Sequence, residues 1–138
     1  MILSLSRKQV SQIFGHALQE RPAECCGLIG GNTDGRASTI YPLTNVASRP
    51  SVAYEAAPQE LFVAQRGMRE RNEQLVAIYH SHPRAIEPQP SETDIRQAFY
   101  PSAIYLIVGL AGAQPTMRAF VLSEREFQWH MVEYVITD

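Results

Sequence analysis

The sequence predicts an α+β fold, a mixed β-sheet with helices packed on it. Three observations carry this. Residues 75–79 (Leu-Val-Ala-Ile-Tyr) and 103–110 (Ala-Ile-Tyr-Leu-Ile-Val-Gly-Leu) are short apolar runs of the kind that fill buried strands. Val10, Ile13, Phe14, Ala17 and Leu18 recur at helical spacing and make one apolar stripe. Residues 23–31 form a small-residue apolar run that closes on Gly30-Gly31-Asn32, a turn signal that returns the chain through 36–44 as a hairpin partner.

Residues 2–5 suit a short first strand. Ser6 then caps a helix, Gln9 three residues on completes a capping box, and the helix ends before Pro22. His16 lies off the apolar stripe and reads as a solvated surface residue. Residues 45–58 read as irregular and exposed, and Tyr54-Glu55 within them follows no pattern. Pro58 fits the first turn of a second helix, which carries Leu61, Phe62, Ala64, Gln65 and Met68 and ends near Asn72. Its later charges, Arg66, Arg69, Glu70, Arg71 and Glu73, read as a solvated face. A third helix is expected from Ser91 to about Phe99, then the strand at 103–110, a turn through Gly112 and Pro115, and a strand over 117–122. Residues 127–136 close the chain with alternating character, and Trp129 and His130 there read as packing or dimer-surface residues.

At 138 residues and 45% hydrophobic content the chain suits one domain over 1–138, with no repeat, linker or low-complexity tract. A formal charge of -2 argues against a general nucleic-acid or anionic-membrane binder. The two cysteines, Cys25 and Cys26, are adjacent and so form no disulfide framework. They read as buried small hydrophobes on opposite faces of a strand. No window has the apolar length of a signal peptide core or a membrane span, so a cytoplasmic location is the expectation.

The chemistry lies in residues 79–94. His80 and His82 stand two apart at the end of the apolar strand, so their imidazoles project from one face and can converge on one point. Pro83, Pro88 and Pro90 stiffen the loop that follows, and Ser91-Glu92-Thr93-Asp94 has the form of a capping box opening a helix. Two imidazoles and one carboxylate are a catalytic zinc ligand set that leaves the fourth tetrahedral position to water. Each residue alone has a plainer reading: a satisfied histidine, Asp94 at a helix start, Ser91 as an N-cap, Glu24 as a strand-edge carboxylate. The combination is what singles the stretch out.

These residues resemble the motif of the Mov34/MPN/PAD-1 family, the JAMM or MPN+ metallopeptidases. His80-Ser81-His82-Pro83 and Ser91-Glu92-Thr93-Asp94 look like its metal motif, and residues 22–30 look like its P-x-E-x-C-G-L-x-x-G strand. The resemblance covers nearly the whole chain. It implies a cytidine-deaminase-like (JAB1/MPN) mixed sheet, one zinc ion on His80, His82 and Asp94, Glu24 as general acid/base, and Ser91 as stabiliser of the tetrahedral oxyanion. For small members of this type it also implies peptidase or isopeptidase action at the C-terminus of a ubiquitin-like or sulfur-carrier protein with a Gly-Gly tail. A homodimer is among the assemblies it allows. The chain departs from the pattern at one place, where eight residues separate His82 from Ser91, one more than is usual in the family. This reads as a surface bulge beside the substrate groove. Two other readings stand beside the peptidase: a metal-free interaction scaffold of the same fold, and a zinc amidohydrolase of a small non-protein substrate.

Overall fold

Ser6 joins the first strand to the first helix without a loop. In the computed structural model, which describes residues 2–138, β1 (Leu3–Ser6) runs directly into α1 (Arg7–Glu20). Ser6 Oγ accepts the Gln9 N–H at 3.1 Å while Gln9 Oε1 accepts the Ser6 N–H at 2.9 Å, so two of the otherwise unpaired amides at the helix start are satisfied. Val10, Ile13 and Ala17 face inward, and burial of Val10 and Ile13 contributes about 1.5–3 kcal/mol each. Leu18, expected on the same stripe, is 38% exposed.

β2 (Cys26–Gly31) and β3 (Ala37–Leu43) form the expected hairpin. After α2 (Pro58–Glu70), β4 (Gln74–His82), α3 (Glu92–Arg96), β5 (Ile104–Gly109), β6 (Thr116–Ser123) and β7 (Gln128–Val132) complete a six-stranded sheet of order β3-β2-β4-β5-β6-β7. β4 and β5 are parallel, and the other neighbours in this sheet are antiparallel. A mixed sheet with flanking helices is thus what forms. One core cluster gathers Ile13, Ala17, Cys25, Ala77, Tyr79 and Leu106 on the α1 face. The other gathers Cys26, Ala64, Met68, Ile78, Tyr105 and Phe120 on the face covered by α2. Cys25 and Cys26 fall in different clusters, as alternation along an extended chain requires, and both thiols are free.

Several expectations need correcting. The single closing strand over 127–136 is two: the chain leaves the sheet edge at Glu133, and β8 (Tyr134–Thr137) pairs in parallel with β1 in a separate two-stranded sheet. The backbone of β1 needs that partner because Leu3 and Leu5 are buried, and a pairing between the two ends of a chain leaves no local trace. α3 stops at Arg96, short of Phe99, with Gln97 already outside helical geometry at φ -101° and ψ 15°. Phe62 is 60% exposed, off the buried side of α2. Glu73 is not solvated: its carboxylate accepts hydrogen bonds from Thr39 Oγ1 and the Tyr41 hydroxyl, tying the end of α2 to the edge strand. Trp129 packs edge-on to Phe120 with ring centroids 5.3 Å apart, while His130 is exposed on the edge strand β7. Among the described residues no helix is long and apolar enough to cross a membrane.

His16 is the sharpest correction on the α1 face. It is half-buried and its Nδ1 lies 2.7 Å from the hydroxyl of Tyr79, a side chain with no exposed surface. Tyr79 needs this partner because a buried phenol left unpaired is costly, and it needs Gly27 across the strand pair because a Cβ there would sit 2.2 Å from its ring. Gly27→Ala is therefore expected to destabilise the fold by about 1–3 kcal/mol through overpacking. Chemical denaturation checks this, and an unchanged midpoint would show that the ring has room to move.

Candidate metal centre and its surroundings

The site forms where β4 ends against the start of α3. Alternation puts His80 and His82 on the α2 face of the sheet, His80 fully buried and His82 16% exposed. The loop then crosses the end of β5 and returns at Ser91, the N-cap of α3. Ser91 Oγ accepts the Asp94 N–H at 3.0 Å, and Asp94 Oδ2 accepts the Ser91 N–H at 2.9 Å. This reciprocal box aims the Asp94 carboxylate back at the strand. Asp94 Oδ2 lies 3.1 Å from His80 Nε2 and 3.0 Å from His82 Nε2, and the two ring nitrogens are 3.2 Å apart. The structure thus brings these three side chains together.

Protons alone do not satisfy that triangle. With both Nε2 atoms protonated, two N–H bonds point at each other; with neither, two lone pairs do; with one, the other ring's lone pair still faces the Asp94 oxygen at 3.0–3.1 Å. A cation resolves it. Tetrahedral zinc with bonds of about 2.0–2.1 Å has donor–donor edges of about 3.3–3.4 Å, a few tenths of an ångström longer than the spacings here. The second lone pair of Asp94 Oδ2 stays on the Ser91 N–H. The donor set fits a divalent metal ion.

Glu24 reaches the same place from upstream. Just before β2, Cys25 N–H donates to Ser81 Oγ at 2.8 Å and Ser81 N–H donates to the Cys25 carbonyl at 3.3 Å. Ser81, the residue between the two histidines, thereby pins the chain one step from Glu24. Glu24 N–H donates to the Pro50 carbonyl at 2.7 Å, and its own carbonyl accepts from Asn45 Nδ2 at 2.9 Å. The Glu24 carboxylate lies within 4.8 Å of a ring nitrogen of each histidine. Its buried Oε1 has no hydrogen-bond partner among the described residues. It stands beside the triangle, outside the 3.0–3.2 Å spacing that Asp94 shares with the two rings.

Environment drives the two carboxyls apart. Burial raises the Glu24 pKa to about 8, with His82 pulling down and Asp94 pushing up. Burial also pushes Asp94 up, but His80, His82 and the Ser91 N–H outweigh it and hold that carboxyl well below the usual range. For His82, burial pulls the imidazole down, and its hydrogen bond and charge interaction with Asp94 reverse this to a net rise. The cysteine thiols are pushed up to about 12, chiefly by burial, and are poor thiolate donors.

The loop between His82 and Ser91 is not a free surface bulge. Ala111 N–H donates to the Ala85 carbonyl at 3.0 Å, Thr116 Oγ1 donates to the Ile86 carbonyl at 2.7 Å, and Pro88 is buried. Gly109 makes this possible, since a Cβ there would lie 2.6 Å from the Ala85 carbonyl oxygen. The extra residue is absorbed into a loop fastened across the end of the parallel pair.

The segment 45–58 is also more than an exposed connection. Asn45 Nδ2 donates to the carbonyls of Glu24 and Ala53, and its Oδ1 accepts the N–H of Ala47 and of Glu55. Tyr54, held between the last two attachment points, stacks on His80 with ring centroids 4.5 Å apart and planes 27° apart. Tyr54 follows no pattern in the sequence and Asn45 is only the start of an irregular segment; the signal available was an asparagine, able to bond several backbone groups, at the mouth of that segment. Tyr54 also lines a cleft of about 260 Å³ with Leu43, Leu61, Phe99, Tyr100 and Tyr105.

A sequence profile described as prokaryotic homologs of the JAB domain matches residues 6–123. The chain belongs to this family. It is 38% identical over 110 residues to a desampylase of Haloferax volcanii, covering 76% of this chain and 78% of that protein. A probable TtuB-protein conjugate cleaving protease of Thermus thermophilus is 35% identical over 124 residues, covering 90% and 78%. A CysO-cysteine peptidase of Mycobacterium tuberculosis is 34% identical over 108 residues, covering 78% and 73%. Among solved structures, a solution structure of a Desulfitobacterium hafniense protein superposes with a TM-score of 0.87 at 32% identity, covering 99% of this chain and 94% of that one. A JAB1/MPN domain protein of Archaeoglobus fulgidus superposes at 0.65 with 17% identity, covering 99% and 98%, and shares the fold.

With no cation beside it, the buried Glu24 carboxyl should govern part of the pH dependence of stability. In the unfolded chain it ionises near its ordinary 4.5, whereas in the fold it keeps its proton up to about 8. The folded state binds the extra proton across that window, so stability is highest below the window and falls as pH rises through it, by on the order of 3 kcal/mol. In the presence of a chelator, Glu24→Gln is expected to melt progressively higher than the wild type as pH goes from 5 to 8.5. Parallel melting curves at all pH values would show that Glu24 is not buried in this way.

Proposed function

We propose that this protein is a zinc-dependent peptidase or isopeptidase that hydrolyses the bond at the C-terminus of a ubiquitin-like or sulfur-carrier protein. The observation that carries this is the triangle of His80, His82 and Asp94 with the buried, unpartnered carboxyl of Glu24 beside it. The named activities of the desampylase, the conjugate-cleaving protease and the CysO-cysteine peptidase support the substrate class. His80, His82 and Asp94 are the residues that would hold the zinc ion. A zinc ion there supplies Lewis acidity, which acidifies water and polarises a carbonyl.

Glu24 is the general base and then the general acid. Its Oε1 has no protein partner to give up before it takes a proton from the attacking water, and that proton goes on to the leaving amine. Burial favours the proton-loaded form needed for the second transfer, while a cation held beside Glu24 would favour the carboxylate form needed for the first. Ser91 Oγ accepts the Asp94 N–H, which leaves its own O–H to donate to the carbonyl oxygen as that atom gains charge. Asp94 stays ionised throughout, since both rings and the Ser91 amide favour its charged form. The cleft beside Tyr54 is small, about 260 Å³, and walled largely by aliphatic and aromatic side chains. It suits a tail without bulky side chains such as Gly-Gly. The tight set of donors weighs against the scaffold reading, because an interaction surface has no use for three donors gathered in a buried site.

The test is incubation with a carrier protein extended or conjugated beyond its Gly-Gly end, with mass spectrometry as the readout. Cleavage is expected after the second glycine and should stop on chelation. Glu24→Gln should retain its zinc and cut slower by on the order of 10²–10⁴-fold. An intact conjugate, or a Gln variant as fast as the wild type, contradicts the assignment.

A further inference from the structure

We infer that Tyr54 is a positioning residue for the metal site, its ring face setting the plane of the His80 imidazole. This rests on the reading that the site holds a divalent cation. A histidine has two side-chain torsions; packing in a central strand settles the first, but the second is broad and roughly two-fold. His80 lies in β4, paired to Cys26 on one side and Ile107 on the other, and has no exposed surface. The ring nitrogen opposite a metal usually donates to a carboxylate or carbonyl, and that bond fixes the ring plane. His80 Nδ1 is buried and faces no protein acceptor among the described residues. The usual device is not supplied by a side chain or carbonyl here.

Tyr54 stands in that place. Its ring lies 4.5 Å from the His80 ring at 27°, so turning the imidazole about its second torsion drives a ring edge into the phenol face. The wall is itself held: Asn45 takes the Ala53 carbonyl at 3.0 Å and the Glu55 N–H at 3.0 Å, immediately before and after Tyr54. Val46 N–H adds a bond to the Glu55 carbonyl at 2.8 Å. The same Asn45 amide holds the Glu24 carbonyl at 2.9 Å. One side chain therefore ties the backbone of Glu24 to the segment that carries the ring facing His80. The role belongs to the aromatic face and not to the hydroxyl, which makes Tyr54→Phe the conservative replacement.

Zinc affinity, measured by competition with a chromophoric chelator, and the visible absorption of the cobalt(II)-loaded protein test this, together with melting of the metal-free forms. Tyr54→Phe is expected to match the wild type in both. Tyr54→Leu should bind zinc about 10–100-fold more weakly, the usual cost of losing a group that orients a ligand, with a shifted cobalt spectrum and a metal-free melting temperature close to wild type. A Leu variant with wild-type affinity and spectrum overturns the inference. So does a Phe variant as weak as the Leu variant, or a loss of affinity matched by a collapse of the metal-free fold. A wild-type protein that takes up no zinc overturns the metal reading and this inference with it.

Discussion

Three donor atoms held 3.0–3.2 Å apart in a largely buried site are the constraint around which this fold is arranged. Atoms of this kind repel one another unless something positive lies between them, so the surrounding elements must hold them there. Two of the donors ride on one strand, where alternation places them together at no cost. The third arrives on the first turn of the next helix, and its delivery explains the long connection. β4 and β5 run parallel, so the chain must cross over between them. The capping box of α3 converts the arrival of a helix into a carboxylate aimed at the strand end.

Burial then separates two acidic groups that the sequence alone does not distinguish. Asp94 lies against two imidazoles and a backbone amide and keeps its charge. Glu24 lies beside the two rings, finds no donor for Oε1, and is pushed by burial toward its protonated form. Two carboxyls with pKa values pushed in opposite directions are the arrangement by which a site holds a cation with one and moves a proton with the other. Ser81 and Asn45 make the separation rigid, the first through Cys25 and the second through the Glu24 carbonyl. Neither touches the donor triangle.

The parts of this design that reside in local sequence were readable. Period-two spacing of His80 and His82, the capping box at Ser91 and Asp94, the hairpin of β2 and β3 and the buried run of β5 each follow from neighbours in the chain. What could not be read depends on partners far away. His16 seemed solvated because nothing near it in sequence needs it, yet Tyr79 does. Glu73 looked like one more surface charge until β3 supplied two hydroxyls. β8 pairs with the opposite end of the chain. Tyr54 sits in a segment without periodicity, and its value comes from the ring it faces. The extra residue before Ser91 was legible as a length, but not as a loop fastened across Gly109.

Zinc-edge X-ray absorption of the metallated protein tests the central claim most directly, because it reports which atoms surround the ion. Two imidazole nitrogens and light oxygen scatterers at about 2.0–2.1 Å, in protein carrying one equivalent of zinc, are what this account predicts. Failure to take up zinc contradicts it, and so does a sulfur scatterer at about 2.3 Å, which would move the metal to Cys25 or Cys26 and leave the two rings of β4 without their ion.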